Sequence, residues 1–292
     1  MTTPTPSTVT RFYGNVDFAL DVIRNTQIIF VHVSLLNDPF DPYCFFETDF
    51  DGKYTNLLRH VRQHHPKDMP WFRAQVTPLS WGKTVRDLHV HLDKIRTTTF
   101  MLSTSASVPG GLHPTDNLYM WGHYGNGHRG VAIEFDTEKL AAAVLKHHET
   151  ENSAPLNEKS VWSKVEYAKT FTPIAAEDVF VFLKQEKLLE LGKISTRRET
   201  PLDQYYRRMS IIKSDVWQSE NEWRLMWRSL TIAPPIYKCP ITRECVSNIH
   251  IGLSFAGDAS AFADEAKRAF PSAGIFQAIK RHGDLALDFI RR

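Results

Sequence analysis

The chain has 292 residues, 42 % hydrophobic and 23 % charged, a composition that buries a core and is too apolar for a disordered chain. Lys and Arg total 35 against 33 acidic residues, a formal net charge of +2; this excludes a nucleic-acid binder driven by a strong overall basic field and leaves only local patches. The cysteines, Cys44, Cys239 and Cys245, are an odd, sparse set without a C-x-x-C pair, which argues against a disulfide framework and for reduced thiols in the cytoplasm.

Residues 1–8 are rich in Thr and Pro and read as a disordered tail. They lack the basic and apolar regions of a signal peptide. Val9–Tyr13 reads as a strand ended by Gly14-Asn15. Val16–Asn25 reads as a helix, with Val16, Ala19, Leu20 and Ile23 on one stripe. Gln27–Val33 is β-branched and aromatic, hence a strand; its apolar run is too short to cross a bilayer, and no membrane partner is expected. Leu36–Pro42 carries two prolines and three Asx residues and reads as a loop.

Tyr54–His65 and Leu79–Arg96 read as helices; in the second, Trp81, Val85, Leu88, Leu92 and Ile95 recur at three- and four-residue spacings. Thr98–Thr104 reads as a strand, Asn117–Gly125 as a short helix ended by glycine, Gly130–Asp136 as a strand, and Glu138–His148 as a helix. Asn152–Asn157 is a polar loop. Val161–Tyr167 alternates as a half-buried strand does. Ala175–Ile194 and Pro201–Asp215 read as helices, the latter opening on proline. Strands are expected at Glu222–Trp227, Ile236–Pro240, Val246–Leu253, Gly274–Ala278 and Leu285–Ile290, with a helix at Ala259–Ala269. There is no fixed-period repeat and no strict β-α-β rhythm. The expected fold class is α+β, a mixed, mainly antiparallel sheet with flanking helices. One domain is expected over residues 9–292, with a helical insertion at about 54–96.

The motifs exclude several chemistries. The sequence has no P-loop and no Gly-x-Ser-x-Gly elbow. Gly122, Gly125, Gly127 and Gly130 do not follow a strand and open a long helix, as a dinucleotide-binding turn would. They end the Trp121 helix and return the chain to the sheet at Val131. Thirteen histidines show no zinc spacing: His64-His65 and His147-His148 sit at helix ends, where the dipole favours cations, and no metal is expected.

Three clusters, with Arg11-Phe12-Tyr13 ahead of them, form a longer pattern. They are Leu36-Asn37-Asp38-Pro39-Phe40-Asp41, the run MWGHYGNGHRGVAIEFD over residues 120–136, and Trp217-Gln218-Ser219-Glu220-Asn221-Glu222-Trp223-Arg224. Over roughly residues 10–255 this pattern resembles a widespread microbial family catalogued as a domain of unknown function, which implies no activity.

A second resemblance is chemical. Arg11 on the first strand, Ser103-Thr104-Ser105 on a later one and Glu220-Asn221-Glu222 entering another resemble, in type and order, the ADP-ribosyltransferases of the arginine–serine–glutamate class. Cleaving the nicotinamide–ribose bond passes through an oxocarbenium-like state, which a nearby carboxylate stabilises. The resemblance implies NAD as substrate and a protein or nucleic-acid acceptor. It implies Glu222 on the ribose 2′-hydroxyl and the developing cation, Ser103 on the ribose or orienting Glu222, and Arg11 on the pyrophosphate through its bidentate fork. Glu220 would position the acceptor and Tyr124 would stack on nicotinamide. Tyr13, Ser105 and Trp121 complete the expected NAD-binding set. Members of such a class are often toxins or phage-defence components. The reading requires Arg11, Ser103 and Glu222 to converge on one cleft. The loop Val108-Pro109-Gly110-Gly111 and the 54–96 block depart from a minimal transferase core.

Plainer readings accompany each residue. Glu222 and Arg224 share a strand face and make a structural ion pair as readily as a site. Ser-Thr-Ser is a common strand end. Trp121 and Tyr124 share a helix face and fit core packing. Two functional alternatives follow. One is a non-catalytic nucleotide- or protein-binding module. The other is a metal-dependent nuclease or hydrolase using Asp38, Glu134 or Asp136.

Overall fold

The structure, a computed structural model, describes residues 4–36, 38, 41–42, 44–45, 54–107, 110–150, 162–193, 201–228 and 235–292. In chain order its elements are β1 (Thr8–Tyr13), α1 (Val16–Asn25), β2 (Gln27–His32), α2 (Tyr54–His64), α3 (Met69–Gln75), α4 (Pro78–Arg96), β3 (Thr99–Ser105), α5 (Leu118–His123), β4 (Val131–Asp136), α6 (Thr137–Thr150), β5 (Trp162–Lys164), β6 (Glu166–Ala168), α7 (Ala176–Glu190), α8 (Pro201–Met209), β7 (Ile212–Ser214), β8 (Glu222–Arg228), β9 (Ile236–Pro240), β10 (Val246–Ile251), α9 (Ala259–Ala269), β11 (Gly274–Lys280) and β12 (Leu287–Arg291). The fold class is α+β, with a mixed, mainly antiparallel sheet and flanking helices.

The chain divides into two compact units: 1–35 with 99–165 and 215–292, and 36–98 with 166–214. The sequence pointed to one domain with an insertion at 54–96. The inserted block is larger, because 166–214 joins it. The expected strand 161–167 is broken at Val165 into β5 and β6, which lie in different sheets and different units. The expected tail is shorter than residues 1–8. Thr8 opens β1, and Thr137 donates to the carbonyls of Pro6 and Ser7.

Unit one carries a ten-stranded sheet in the order β12-β11-β10-β4-β1-β3-β2-β9, with β8 on β3 and β5 on β8. Among the described residues, only β10 and β11 pair in parallel within it. β8 runs along all seven residues of β3, whereas β1 meets β3 at Ser105 and β2 meets it at Phe100 and Met101. The strands β1 and β2 therefore diverge along one edge of β3. The Arg11 Nη1 donates to the Ile29 carbonyl at 2.6 Å, from one diverging strand to the other.

Strand alternation sorts side chains onto two faces. One face buries Val9 and Tyr13 of β1, Phe100 and Leu102 of β3, Ile133 and Phe135 of β4, and Trp223, Leu225 and Trp227 of β8 beneath α1, α6 and α9. The helix starts explain why these segments cover it. Asn15 accepts from the Asp17 amide, and Asp258 accepts from the Ser260 and Ala261 amides, so each cap satisfies donors the helix leaves open. The second face carries a smaller cluster of Trp121, Ala132, Ala278 and Leu287 with Phe12, Leu253 and Phe289.

Between α5 and β4 the chain turns through Asn126, Gly127 and His128, all at positive φ. It enters the sheet through Gly130, where a Cβ would lie 2.0 Å from the Tyr13 carbonyl oxygen. Gly130→Ala is therefore expected to cost at least the ~1–3 kcal/mol of core overpacking, read as a lower urea midpoint with unchanged slope.

Unit two packs α2, α3, α4, α7 and α8 around Leu57, Phe72, Trp81, Phe180 and Tyr205, with the parallel pair β6-β7. Its α4 opens on a reciprocal Thr77–Ser80 capping box with Pro78 at the first turn.

Candidate functional site

The sheet register builds one polar row on the second face of unit one. Asn248 lies opposite Glu134, Glu134 opposite Thr10, Thr10 opposite Ser105, and Ser105 opposite Glu222. Directly opposed residues share a face, so five side chains from β10, β4, β1, β3 and β8 stand in line. Thr10, Ser105, Glu134 and Glu222 are buried. Burial of so many polar groups is unfavourable unless they find partners, which marks the row as a built feature.

At the β8 end, Ser103 stands opposite Arg224. The Arg224 guanidinium donates to both Glu222 oxygens, Nε to Oε1 at 2.7 Å and Nη2 to Oε2 at 3.0 Å, and both side chains are almost wholly buried. Ser103 is half-buried, and its hydroxyl makes no hydrogen bond among the described residues. Glu220, in the 3-10 turn before β8, is buried and accepts a 2.5 Å hydrogen bond from the Tyr124 hydroxyl. That turn is held to α5 by Asn117, which donates to the Ser219 carbonyl at 3.0 Å, and by the His123 and Trp217 rings, 5.3 Å apart.

At the β10 end, the Glu134 Oε2 accepts from the Asn248 amide at 3.1 Å and faces the His113 Nε2 at 3.5 Å and the His250 Nε2 at 3.8 Å. His250 is buried, stacked on Phe276 and edge-on to Phe289; among the described residues neither ring nitrogen has a partner within hydrogen-bond distance, so its effect on Glu134 at 3.8 Å is electrostatic. Burial pushes the Glu134 carboxyl up, but His250, Asn248, Thr8 and the His113 charge outweigh it and hold the group at about 2. Burial lowers His113, with the nearby Glu134 charge opposing.

The pH dependence follows. A carboxyl held below its ordinary value stabilises the fold above that value and loses the contribution as pH falls. For Glu134 the window runs from 4.5 down to about 2, worth ~3 kcal/mol in full. A lowered histidine acts in the same direction below 6.5. Stability should therefore fall on acidification below pH 4.5, and Glu134→Gln should flatten that fall in urea titrations.

The expected site residues divide. Ser103, Ser105 and Glu222 stand on one face of two paired strands, with Glu220 and Tyr124 joined at the start of β8. Arg11 and Tyr13 do not join them. Arg11 lies opposite Ile133 and shares the apolar core face with Val9 and Tyr13. Its guanidinium is 5.4 Å from the Tyr13 ring centre and bonded to Ile29. Among the described residues the buried Tyr13 hydroxyl has no hydrogen-bond partner, and burial raises it, with Arg11 opposing. The physical reason is strand parity: Thr10, not Arg11, faces Ser105. Trp121 is also removed from the ligand set. It is fully buried, edge-on to Phe12 at 5.1 Å and stacked on His128, with Nε1 bonded to the Thr115 carbonyl at 2.7 Å. The three-residue convergence of Arg11, Ser103 and Glu222 therefore does not occur.

Of the alternative carboxylates, Glu134 meets two histidines and Asn248 rather than a second carboxylate, and Asp136 pairs with Lys139 at 3.2 Å. The sequence did not single out His113, His250, Asn248 or Thr10; it did place Arg224 on the Glu222 face as an ion-pair partner, and that pair is formed. The alternation of β10 placed Asn248 and His250 on one face, but only the register showed that this face meets Glu134.

Residues 120–225 match the family described as "Protein of unknown function (DUF2971)". The match spans the glycine-dotted turn, β4 and the Glu220–Arg224 segment, and its description carries no activity. No curated protein and no solved structure matches the chain.

Proposed function

We propose that this chain cleaves NAD and transfers ADP-ribose to a protein or nucleic-acid acceptor with a constellation reduced to Ser103, Ser105 and Glu222; the full arginine–serine–glutamate reading fails, because Arg11 lies on the opposite face of the sheet. The observation that supports the reading is the β3–β8 register, which sets Ser103 and Ser105 beside Glu222 on one face, with the Glu220–Tyr124 pair at the head of β8. In this reading Glu222, oriented by Arg224, supplies the negative charge that an oxocarbenium-like state needs. Ser103, whose hydroxyl makes no hydrogen bond among the described residues, takes a ribose hydroxyl. Glu220 accepts or directs the acceptor's proton, with Tyr124 fixing its carboxylate. The pyrophosphate is held without Arg11.

A second reading is favoured by a specific observation. Arg224 occupies both oxygens of a buried Glu222, as a purely structural ion pair would. The chain would then be a non-catalytic nucleotide- or protein-binding module. Nicotinamide release from NAD, with cell lysate and total RNA as acceptors, separates the two. The transferase reading expects release that falls by about 100-fold or more in Glu222→Gln. Wild-type protein that releases no nicotinamide would remove the transferase reading.

A further inference from the structure

A second cluster of reactive side chains lies wholly in unit two and takes no part in the reading above. His60 stands one turn before the end of α2, His65 follows its last residue, and Glu177 is in the first turn of α7. The Nε2 atoms of both histidines lie 2.7 Å from the same oxygen, Glu177 Oε2. One ligand atom from each residue falls within 4.8 Å of the other two. The histidine side chains are 22 % and 27 % exposed and the glutamate 45 %, so an ion can enter and water can complete its shell.

The arrangement has the features of a ligand set and not only of a hydrogen-bonded trio. Both imidazoles approach through Nε2, one of the two nitrogens by which a neutral histidine binds metal. The His65 ring packs on Phe180 at 4.4 Å, and Phe180 is three residues after Glu177 on α7. The same helix face thus supplies the carboxylate and fixes one imidazole. His64, four residues after His60 on α2, brings a third imidazole ring to 4.7 Å from the His60 ring. The C-terminal end of α2 favours positive charge, and the first turn of α7 favours the carboxylate that meets it. A tetrahedral ion with bonds of about 2.0–2.1 Å separates its ligands by about 3.4 Å. The two imidazoles therefore need to open from Glu177 by a fraction of an ångström, and their nitrogens, within 4.8 Å of each other, need at most a modest closure, which partly exposed side chains can make.

We propose that His60, His65 and Glu177 bind one divalent first-row transition-metal ion of the zinc class, with water in the remaining position. Two imidazoles and one carboxylate suit such ions rather than calcium or magnesium, which take oxygen ligands. The ion joins the end of α2 to the start of α7.

The test uses tag-free, full-length protein and Co²⁺ alone as the probe. Visible absorption should rise and saturate near one equivalent, and Zn²⁺ should displace it. His65→Phe retains a ring against Phe180, and Glu177→Gln retains a side chain that can hydrogen-bond, so both variants should fold, as far-UV circular dichroism will show. Each should weaken Co²⁺ binding roughly 100-fold or more, beyond the loss typical of an outer-shell partner. His282→Gln, at an exposed position, should bind as wild type does. Absence of a saturating band in wild-type protein would overturn the proposal, and so would the same band at the same affinity in both folded ligand variants.

Discussion

Arg224→Met is expected to lower the unfolding free energy by about 3–5 kcal/mol, because it leaves the Glu222 carboxylate buried without its cation. Arg224 is wholly buried in the middle of β8, between Ser103 on β3 and Ser163 on β5. Its two bonds to Glu222 offset part of the cost of desolvating that carboxylate. Met retains much of the side chain's volume, so the loss reports charge rather than a cavity. Glu222→Gln with Arg224→Met removes both charges, and the pair's coupling follows from the cycle of single and double variants. A coupling near zero would mean that the two groups are held by other partners and that Arg224 does not orient Glu222.

Trp121→Ala is expected to cost about 3–5 kcal/mol, the range for deleting a large buried aromatic. The indole fills the second face between Phe12, Ala132, Ala278 and Leu287. Its removal also leaves the Thr115 carbonyl without its donor, adding the penalty of an unsatisfied buried acceptor. Trp121→Phe retains a ring and loses the Nε1 bond, so it should cost clearly less. Equilibrium denaturation in urea measures both. A loss below about 1 kcal/mol for the alanine variant, the scale of a surface change, would show that Trp121 is not part of a packed core and would reopen its role as a ligand-stacking residue.

Most elements were legible because their signals are local. The stripes of α1 and α4 and the alternation of β4 predicted their spans to within a residue or two. α3 falls in residues 66–78, to which the sequence pattern assigned no element; Pro70 occupies its first helical turn, where its missing amide costs nothing. β7 was absorbed into the preceding helix because its three residues, Ile212–Ser214, are too few to show a period.

The site was legible in part. Ser103, Ser105, Glu220 and Glu222 could be picked out by type and order, but their adjacency depends on which strands pair, a tertiary fact. Arg11 carried a warning in its own neighbours. Val9 and Tyr13 stand two residues to either side, and a strand that places two apolar residues on one face places the arginine between them there as well. The row from Asn248 to Glu222 draws one residue from each of five strands, and no sequence spacing contains it. The cluster of His60, His65 and Glu177 escaped for the same reason, since Glu177 lies more than a hundred residues beyond the α2 histidines.

The reduced constellation is tested most directly by steady-state nicotinamide release in two variants, Ser103→Ala and Arg11→Met, each shown to be folded. Ser103→Ala is expected to lower kcat/KM for NAD by about 10-fold or more, the loss of one hydrogen bond that strengthens in the transition state. Arg11→Met is expected to leave kcat/KM at the wild-type value. A rise in KM for NAD in folded Arg11→Met, with Ser103→Ala unaffected, would contradict the reduced constellation and place the nucleotide on the opposite face of the sheet.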